Sequence, residues 1–205
     1  MSFYDDHILP VVLDACCGMK AIQRQRAALL PRARGRVLEI GIGTGRNFPF
    51  YAPLQVEQLV GLDPAETMHA KARQRAAAAG MEVELLSISA EGIPAADHSF
   101  DTVVCTFSLC TIPDPVAALH EMRRVLKPGG DLLFSEHGLA PDAAVQRWQH
   151  RLSPGWSKIA GGCQLDRDIP ALLEQGGFHI HDMDARYLKG PKPWTYVRTG
   201  SARAA

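Results

Sequence analysis

The sequence predicts a single α/β domain whose parallel β-sheet is covered by helices on both faces. From Arg36 onward, short apolar segments that often contain β-branched residues alternate with longer amphipathic segments, which is the pattern of successive strand–helix–strand units. The chain has 205 residues, of which 46% are hydrophobic, enough for one full-sized core but too few for two. We therefore expect residues 1–205 to form one domain.

Seven strands and a series of helices are predicted in order along the chain. The predicted strands are 36–41, 58–63, 82–87, 100–107, 131–137, 178–185 and 194–200. The predicted helices are one or two before Arg36, broken around Gly18, then 65–80, 114–130, 140–153 and a segment that begins near Asp166 or Asp168. The segment 114–130 is the clearest, because Asp-Pro begins it, basic residues occupy its last turn and Pro-Gly-Gly ends it. Residues 154–166 are predicted to form a loop and residues 201–205 to be frayed.

Composition and charge exclude whole classes of function. The 22 basic residues are balanced by 22 acidic ones, so no net field attracts nucleic acid or an anionic membrane, and we expect neither partner. No apolar run in the sequence approaches the roughly 18–20 residues that a membrane span needs, and we expect a cytoplasmic location. The cysteines form an odd set without a CxxC pair, which predicts reduced thiols and neither a zinc site nor a disulfide framework. They are Cys16, Cys17, Cys105, Cys110 and Cys163.

The segment RVLEIGIGTGRNF places three glycines directly after the first predicted strand. A dinucleotide-binding turn has the spacing GxGxxG. Here Gly41, Gly43 and Gly45 read GxGxG, and Arg46 occupies the place of the third glycine of that motif. No GK[ST] follows, which excludes a P-loop. Glu39, two positions before the first glycine, would repel a pyrophosphate and attract an ammonium group, directly or through water.

A second acidic residue, Asp63, ends the next predicted strand in the sequence GLDP. A carboxylate at that place accepts two hydrogen bonds from the adjacent hydroxyls of a ribose. The indicated ligand has a ribose, a cationic amino-acid portion and no phosphate, and S-adenosylmethionine (SAM) meets all three requirements. The alternative is that the glycines form only a tight turn and that Asp63 caps a helix.

Over residues 34–137 the chain resembles the class I SAM-dependent methyltransferases, since VLEIGIGTG, GLDP, SAEGIPAADHSFDTVVCTFSL and VLKPGG occur in the order of that family. The resemblance implies their Rossmann-like α/β fold, a seven-stranded and mostly parallel sheet with helices on both faces and an antiparallel last strand. It also implies SAM as the cofactor. The residues implied to bind it are Glu39, Gly41, Gly43, Gly45, Asp63, Pro64, Met68, Ala90, Glu91, Thr106 and Phe107.

Each part of SAM is matched to different residues by the same resemblance. Gly41 and Gly43 are implied to approach the methionine portion, and Asp63 to hold the ribose. Met68 is implied to pack on the adenine edge, which Ala90 and Glu91 also meet. Thr106 and Phe107 are implied to close over the methionine side. For Met68 and Glu91 the alternative is a purely structural role.

A closer resemblance reaches into the C-terminal third. FSEHGLAP, WQHRLSPGWSKIAGGCQLDRD and WTYVRTG are similar to segments of the methyltransferase-like proteins of animal microsomes that methylate alkyl thiols, and of their soluble bacterial relatives. The resemblance implies a small thiol or hydrogen sulfide as the methyl acceptor. We divide the chain into an N-terminal segment (1–33, with Phe3, Tyr4 and His7), a SAM-binding core (34–137) and an acceptor side (138–200). The N-terminal segment is expected to form a helical lid over the cofactor, and the alternative is a helix packed on the sheet edge. The animal proteins carry an N-terminal hydrophobic anchor that this sequence does not show, so we do not expect membrane attachment.

Glu136 and His137 end the fifth predicted strand and are the candidate catalytic residues. A neutral imidazole is suited to act as a base or an orienting group near pH 7, and a thiol with a pKa near about 8.5 needs less help from a base than a phenol or hydroxyl does. The alternative is that both residues satisfy buried backbone groups. Cys105 and Cys110 are interpreted as small buried residues, whereas Cys163 either lines the acceptor pocket or has no special role.

Three other functions are compatible with these patterns. A quinone-precursor or lipid methyltransferase would have a wider and more apolar cleft. A SAM-binding protein without catalysis would bind the cofactor and release no S-adenosylhomocysteine. An NAD-dependent oxidoreductase is disfavoured by Arg46 and by the lack of a YxxxK pair.

Overall fold

Seven strands form one sheet in a computed structural model that describes Tyr4 and residues 8–205. The strands are β1 (Gly35–Ile40), β2 (Val56–Leu62), β3 (Glu84–Leu86), β4 (Phe100–Thr106), β5 (Leu126–His137), β6 (Phe178–Tyr187) and β7 (Tyr196–Ala204). Their order in the sheet is β3-β2-β1-β4-β5-β7-β6. The first five strands pair in parallel, and only β7 runs antiparallel to its neighbours β5 and β6. The predicted class I methyltransferase fold is confirmed.

Within the described residues, seven α-helices connect and flank these strands. They are α1 (Leu9–Cys17), α2 (Lys20–Leu29), α3 (His69–Ala78), α4 (Pro115–Val125), α5 (Ala143–Ile159), α6 (Ile169–Gln175) and α7 (Lys192–Thr195). The N-terminal ends of two of these helices, α4 and α6, were predicted correctly from local sequence signals. Asp114 caps α4 by accepting the backbone N–H of Ala117 at 3.0 Å, and Asp168 caps α6 through Ala171. Phe3 and His7 of the predicted lid lie outside the described residues.

The sheet is buried on both faces, as a parallel sheet requires. Alternate strand residues serve the two faces: Leu38 packs into the core under α4 and α6, whereas its neighbour Val37 packs into the core under α2 and α3. Both residues are fully buried. The helices therefore cover both faces of the sheet, and the ends of its strands remain available for a binding site.

Three predicted boundaries are wrong. Helix α5 continues through Pro154 to Ile159, where a loop was expected. Its buried face runs from Val145 to Ser153 and goes on past Pro154 with half-buried Trp156 and buried Ala160, so packing maintains the helix beyond a residue that by itself disfavours it. Residues 201–205 are not frayed, since β7 runs to Ala204 and its residues 201 and 202 are fully buried between β5 and β6. The predicted helix 114–130 ends at Val125, and its last residues begin β5.

The parallel strands β1, β2, β4 and β5 all point their carboxyl ends to the same edge of the sheet. Ligands of open α/β sheets bind outside that edge, near the place where the strand order reverses. Here the reversal falls between β1 and β4. None of the helices within the described ranges is long and apolar enough to cross a membrane.

Candidate functional site

The glycine turn after β1 adopts a backbone that side chains disfavour. Gly41, Gly43 and Gly45 have φ angles of +65°, +52° and +77°, in the left-handed region where glycine carries no steric cost. A Cβ on Gly41 would overlap the side chain of Ser108. A Cβ on Gly45 would lie 2.7 Å from the ring of Phe48 and 3.0 Å from Cα of Ala72 in α3. Gly45 thus allows close packing of the turn, and its predicted contact with SAM stays a prediction.

Gly43 lines a recess beside Asp63, and binding of the ribose of SAM in this recess stays a prediction. A Cβ on Gly43 would project toward Sδ of Met68 at 3.6 Å and Oδ2 of Asp63 at 3.8 Å, so glycine leaves open the space between them. The backbone N–H of Gly43 donates to Oδ2 of Asp63, and that of Ala65 donates to Oδ1, each at 2.9 Å. Each oxygen keeps a lone pair for a ribose hydroxyl. Pro64, between them in sequence, is exposed.

Glu39 lies below the turn and is bonded entirely within the protein. Its carboxylate accepts the amide N–H of Asn47 at 2.9 Å and the hydroxyl of Tyr51 at 2.6 Å, and the residue is 2% exposed. Burial raises the pKa of Glu39 to about 7. Asn47 also donates to the hydroxyl of Thr106 at 3.0 Å. Because both carboxylate oxygens are bonded within the protein, an interaction of Glu39 with an ammonium group, directly or through water, stays a prediction.

Phe107 forms a strained bend at the end of β4. Its φ of +55° is unusual for a residue other than glycine and costs about 1 kcal/mol or more. Its backbone N–H donates to Ser135 of β5 at 2.9 Å, and the Arg26 guanidinium lies 5.5 Å from the ring centroid. The bend turns the ring toward His137, with 6.5 Å between centroids. The Phe107 ring thus lies near both Arg26 and His137, and its closure over the methionine side of SAM stays a prediction.

Two of the three predicted adenine contacts, Ala90 and Glu91, lie after β3. Ala90 is buried within the core under α4, and Glu91 is half-buried. The carboxylate of Glu91 accepts the hydroxyl of Ser89 and the backbone N–H of Asp114. These contacts tie the loop after β3 to the start of α4, and contact with adenine stays a prediction for both residues.

Glu136 fixes the turn that follows Phe107. It is fully buried, and its Oε1 accepts the backbone N–H groups of Ser108 at 2.9 Å and Leu109 at 3.2 Å. Burial raises the pKa of Glu136 to about 7, although these two bonds oppose the shift. Its Oε2 is buried and has no hydrogen-bond partner within the described part of the chain. These contacts give Glu136 a positioning role, and contact with an acceptor stays a prediction.

His137 meets two cysteines that are distant in sequence. Its Nε2 lies 3.2 Å from Sγ of Cys163, and the Nε1–H of Trp156 donates to the same sulfur at 3.3 Å. The donor atoms of Cys110, His137 and Cys163 all lie within 4.8 Å of one another. A hydrogen bond from Cys110, opposed by burial and assisted by His137, lowers the pKa of Cys163.

Sequence reasoning missed this cluster, which we call the Cys2His cluster. Its members lie at the end of β5 and in two separate loops, so no spacing in the sequence announces it. The lack of a CxxC pair predicted no zinc site, but a folded chain can assemble metal ligands without such a pair. The only hint in the sequence was Cys163 itself, within GGCQL.

Two tryptophans, Trp156 and Trp194, form an aromatic wall beside Cys163 of the cluster. The rings of Trp156 and Trp194 meet edge to face with 5.5 Å between centroids, and both residues are half-buried. Buried Gln149 supports this wall, because its amide donates to the backbone oxygens of Gly138, Leu165 and Pro193 at 3.0 Å each. The third tryptophan, Trp148, is 55% exposed and lies away from the wall's packing.

Helix α1 is bound to the glycine turn through one buried carboxylate. Asp14 is 7% exposed and pairs with Arg46 at 2.8 Å, Lys71 at 2.6 Å and Arg75 at 2.7 Å. Burial opposes ionisation, but hydrogen bonds from these three cations hold the pKa of Asp14 well below its usual range. Arg46, which replaces a glycine of the dinucleotide motif, therefore ties α1 to the turn.

Comparisons with known proteins bear on this site. A model described as "Methyltransferase domain" matches residues 38–134. Thiol S-methyltransferase TMT1B of Homo sapiens is 34% identical over 83% of this chain and 70% of its own length. Ubiquinone/menaquinone biosynthesis C-methyltransferase UbiE of Roseobacter denitrificans is 34% identical over 78% of this chain and 66% of its own length. The structure of a SAM-dependent methyltransferase of Leishmania major superposes with a TM-score of 0.71 at 17% identity, over 98% of this chain and 80% of that one.

Proposed function

Because the chain belongs to the SAM-dependent methyltransferases, with SAM as its methyl donor, we propose that it methylates the sulfur of a small thiol or of hydrogen sulfide. When bound, SAM supplies a methyl carbon activated by a sulfonium centre. The acceptor sulfur attacks this carbon in line, and the electron pair of the broken carbon–sulfonium bond stays on S-adenosylhomocysteine. The chain's own task is to position both partners and to exclude water.

The residues proposed to hold SAM lie at or just after the carboxyl ends of β1, β2, β3 and β4. Asp63 accepts the ribose hydroxyls, since its oxygens are fixed by two backbone N–H groups and still have free lone pairs. Gly41 and Gly43 let the backbone approach the methionine portion. Met68, Ala90 and Glu91 form the adenine end in this proposal. Thr106 and Phe107 close the methionine side, with the field of Glu39 behind them.

The observation that carries the thiol assignment is the Cys2His cluster at the acceptor end of β5. Sulfur and aromatic groups are polarizable and form favourable contacts with one another, so Cys163, Trp156 and Trp194 suit a small sulfur-containing acceptor. His137 is the group proposed to contact that acceptor, and Glu136 holds the adjoining turn. The human relative named a thiol S-methyltransferase aligns over 83% of this chain, which supports the same acceptor class.

A product assay tests the acceptor. The full chain with SAM is offered hydrogen sulfide, a small alkyl thiol, a phenol, a quinol and an amine, and S-adenosylhomocysteine and the methylated product are measured by mass spectrometry. We expect turnover with hydrogen sulfide or the alkyl thiol, each at least ~10-fold above the other acceptors. Turnover confined to the quinol would overturn the thiol assignment and favour the reaction named for the UbiE relative. Tight SAM binding with no product from any acceptor would indicate a binding protein.

A further inference from the structure

We propose that Cys110, His137 and Cys163 hold one zinc-class divalent cation, and that the open fourth position of this ion takes the sulfur of the acceptor. The second half of this inference rests on the proposed function, whereas the first half, the metal site, does not. Two thiolates and one imidazole with an open position are a donor set that suits a tetrahedral zinc ion with a catalytic role.

The spacing of the three donor atoms fits a single ion. In a tetrahedral site, bonds of about 2.3 Å to sulfur and about 2.0–2.1 Å to nitrogen place the donors roughly 3.5–3.8 Å apart. Sγ of Cys163 lies 3.2 Å from Nε2 of His137, and all three donors lie within 4.8 Å of one another. Only small side-chain shifts separate this arrangement from a coordination shell.

The backbone holds the donors in place. Cys110 lies in the turn that Glu136 fixes through the N–H groups of Ser108 and Leu109. The N–H of Gln164 donates to the carbonyl of Cys110 at 2.9 Å, so the loop of Cys163 is tied to the turn of Cys110. His137 is the last residue of β5 and pairs with β7. A site held by three fixed segments is preorganised, which favours metal binding.

The surroundings favour a thiolate site with one open side. The Trp156 N–H donates to Sγ of Cys163, a type of second contact that orients and tunes metal ligands. Cys110 is 2% exposed, whereas Cys163 and His137 are only half-buried, so the cluster is closed on the side of Cys110 and more accessible on the side of Cys163 and His137.

The ion would supply the activation that a thiol acceptor needs. The acceptor gives its proton to solvent as its sulfur binds the ion, because metal ligands bind in their deprotonated form. The sulfur lone pair then forms the new bond to the methyl carbon, the carbon–sulfonium bond breaks, and its electron pair stays on S-adenosylhomocysteine. The product is a neutral thioether, or neutral methanethiol when the acceptor is hydrogen sulfide; each is a weaker ligand than a thiolate, and it leaves. No electron is gained or lost by the ion.

Cobalt titration tests the metal site without reference to activity. The full chain is treated with a chelator and a phosphine reductant, and Co²⁺ is then added under anaerobic conditions. We expect saturation at one ion per chain with a sulfur-to-cobalt charge-transfer band, and displacement of the band by Zn²⁺. Cys110→Ser and Cys163→Ser should each weaken Co²⁺ binding by more than ~100-fold, because loss of a supporting partner alone costs about 10–100-fold.

A matched control separates the cluster from general thiol binding. Cys16→Ser removes an exposed cysteine of α1 and should leave the titration unchanged. Calorimetric SAM binding by the two cluster variants, expected to stay within ~3-fold of the unmodified chain, shows that they are folded. Absence of a one-to-one charge-transfer band, the same band in both cluster variants, or a Cys110–Cys163 disulfide that persists in the reductant would overturn the inference.

A separate measurement tests the second half of the inference, that the acceptor sulfur binds the ion. Adding a small thiol to the cobalt-loaded chain should shift the charge-transfer band, and the chelated chain should lose at least ~10-fold in thiol turnover and regain it with Zn²⁺. Undiminished thiol turnover without metal would leave the proposed function intact and overturn the inference. A cobalt site that no thiol perturbs, in a chain that methylates only quinols, would retain the metal site and refute both the acceptor half and the proposed function.

Discussion

At the scale of single residues, the site depends on two carboxylates that hydrogen bonds hold in fixed directions. Asp63 accepts two backbone N–H groups at the end of β2, and Glu39 is enclosed by Asn47 and Tyr51 below the glycine turn. The two residues differ in what remains available to a ligand. Asp63 faces the recess beside Gly43, whereas Glu39 is almost completely excluded from solvent.

Replacing Asp63 by alanine should weaken SAM binding by about 1.5–3 kcal/mol, or roughly 10–150-fold, because a charged hydrogen-bond acceptor is lost. Calorimetric titration with SAM measures the change. Glu57→Ala is the control, since Glu57 is exposed on the same strand, β2. An unchanged dissociation constant for Asp63→Ala in a folded variant would contradict the ribose role.

Glu39→Gln should change the pH dependence of stability in the chain without SAM. Burial, opposed by the bonds from Tyr51 and Asn47, raises the pKa of Glu39 from 4.5 to about 7. In that window the folded state binds more protons than the unfolded state, so Glu39 makes the folded chain lose stability as pH rises from 4.5 to about 7. The glutamine variant lacks this loss. We expect the two proteins to be similar in stability near pH 4.5 and the variant to be more stable at pH 8, by at most about 3 kcal/mol.

Urea denaturation at a series of pH values between 4.5 and 8 measures this difference. Glu57→Gln removes a carboxylate from an exposed position on the neighbouring strand, and its difference from the unmodified chain should stay small throughout. If the difference between Glu39→Gln and the unmodified chain did not grow with pH, Glu39 would not titrate as described.

At the scale of elements, the attachment of α1 depends on one residue. Asp14 connects α1 to Arg46 of the glycine turn and to Lys71 and Arg75 of α3. The carboxylate is buried, whereas its three cationic partners keep between 21% and 47% of their side chains exposed. Solvent therefore screens part of the attraction, but the cations repel one another once the carboxylate is removed.

Asp14→Asn should destabilise the fold by about 2 kcal/mol, less than the loss of a fully buried ion pair because the partners are partly exposed. The same substitution should weaken SAM binding, since Asp14 accepts hydrogen bonds from the Arg46 guanidinium and the Thr44 hydroxyl, which both belong to the glycine turn. Urea denaturation and calorimetry measure the two effects. Asp97→Asn, which removes the exposed partner of Arg124, should cost less than about 1 kcal/mol. Equal effects of the two substitutions would show that Asp14 is not a specific tie.

Elements with local signals were predictable, and elements fixed by distant packing were not. Asp114 and Asp168 mark the starts of α4 and α6 because an N-cap is a contact between near neighbours in sequence. Pro154 should end a helix by the same local logic, but α5 continues because its buried stripe packs against the acceptor-side segments. Local propensity is decisive only where packing does not override it.

The same distinction applies to the site. The glycine turn and Asp63 follow predictable strand ends, so their meeting at one edge of the sheet could be inferred from the order of elements. The contact between Cys163 and His137 joins residues separated by 26 positions. It arises from how α5 and the following loop pack against the end of β5, which no periodicity in the sequence encodes.

At the scale of the whole molecule, β7 joins the acceptor side to the SAM-binding core. It lies between β5 and β6 and pairs antiparallel with both. Its residue Val197 pairs with His137, so the position of the Cys2His cluster depends on the strand that connects β6 to the parallel strands. The end of β7 contributes to this connection, because Ser201 and Ala202 are fully buried and Arg203 pairs with Asp131 of β5 at 2.8 Å.

Deletion of residues 201–205 should therefore destabilise the fold by at least about 2 kcal/mol, since it removes backbone hydrogen bonds to β5 and β6 that are each worth about 1 kcal/mol. Deletion of Ala205 alone is the control: this residue lies beyond β7 and makes one backbone hydrogen bond, to Gly177 at 2.9 Å, so its loss should cost no more than about 1 kcal/mol. Urea denaturation of the two truncated chains measures the difference. The longer deletion should also reduce Co²⁺ binding by the Cys2His cluster more than SAM binding, because β7 supports the end of β5, whereas the recess of Asp63 lies on β2. Equal stability of the two truncated chains would mean that the last residues of β7 do not hold the sheet together.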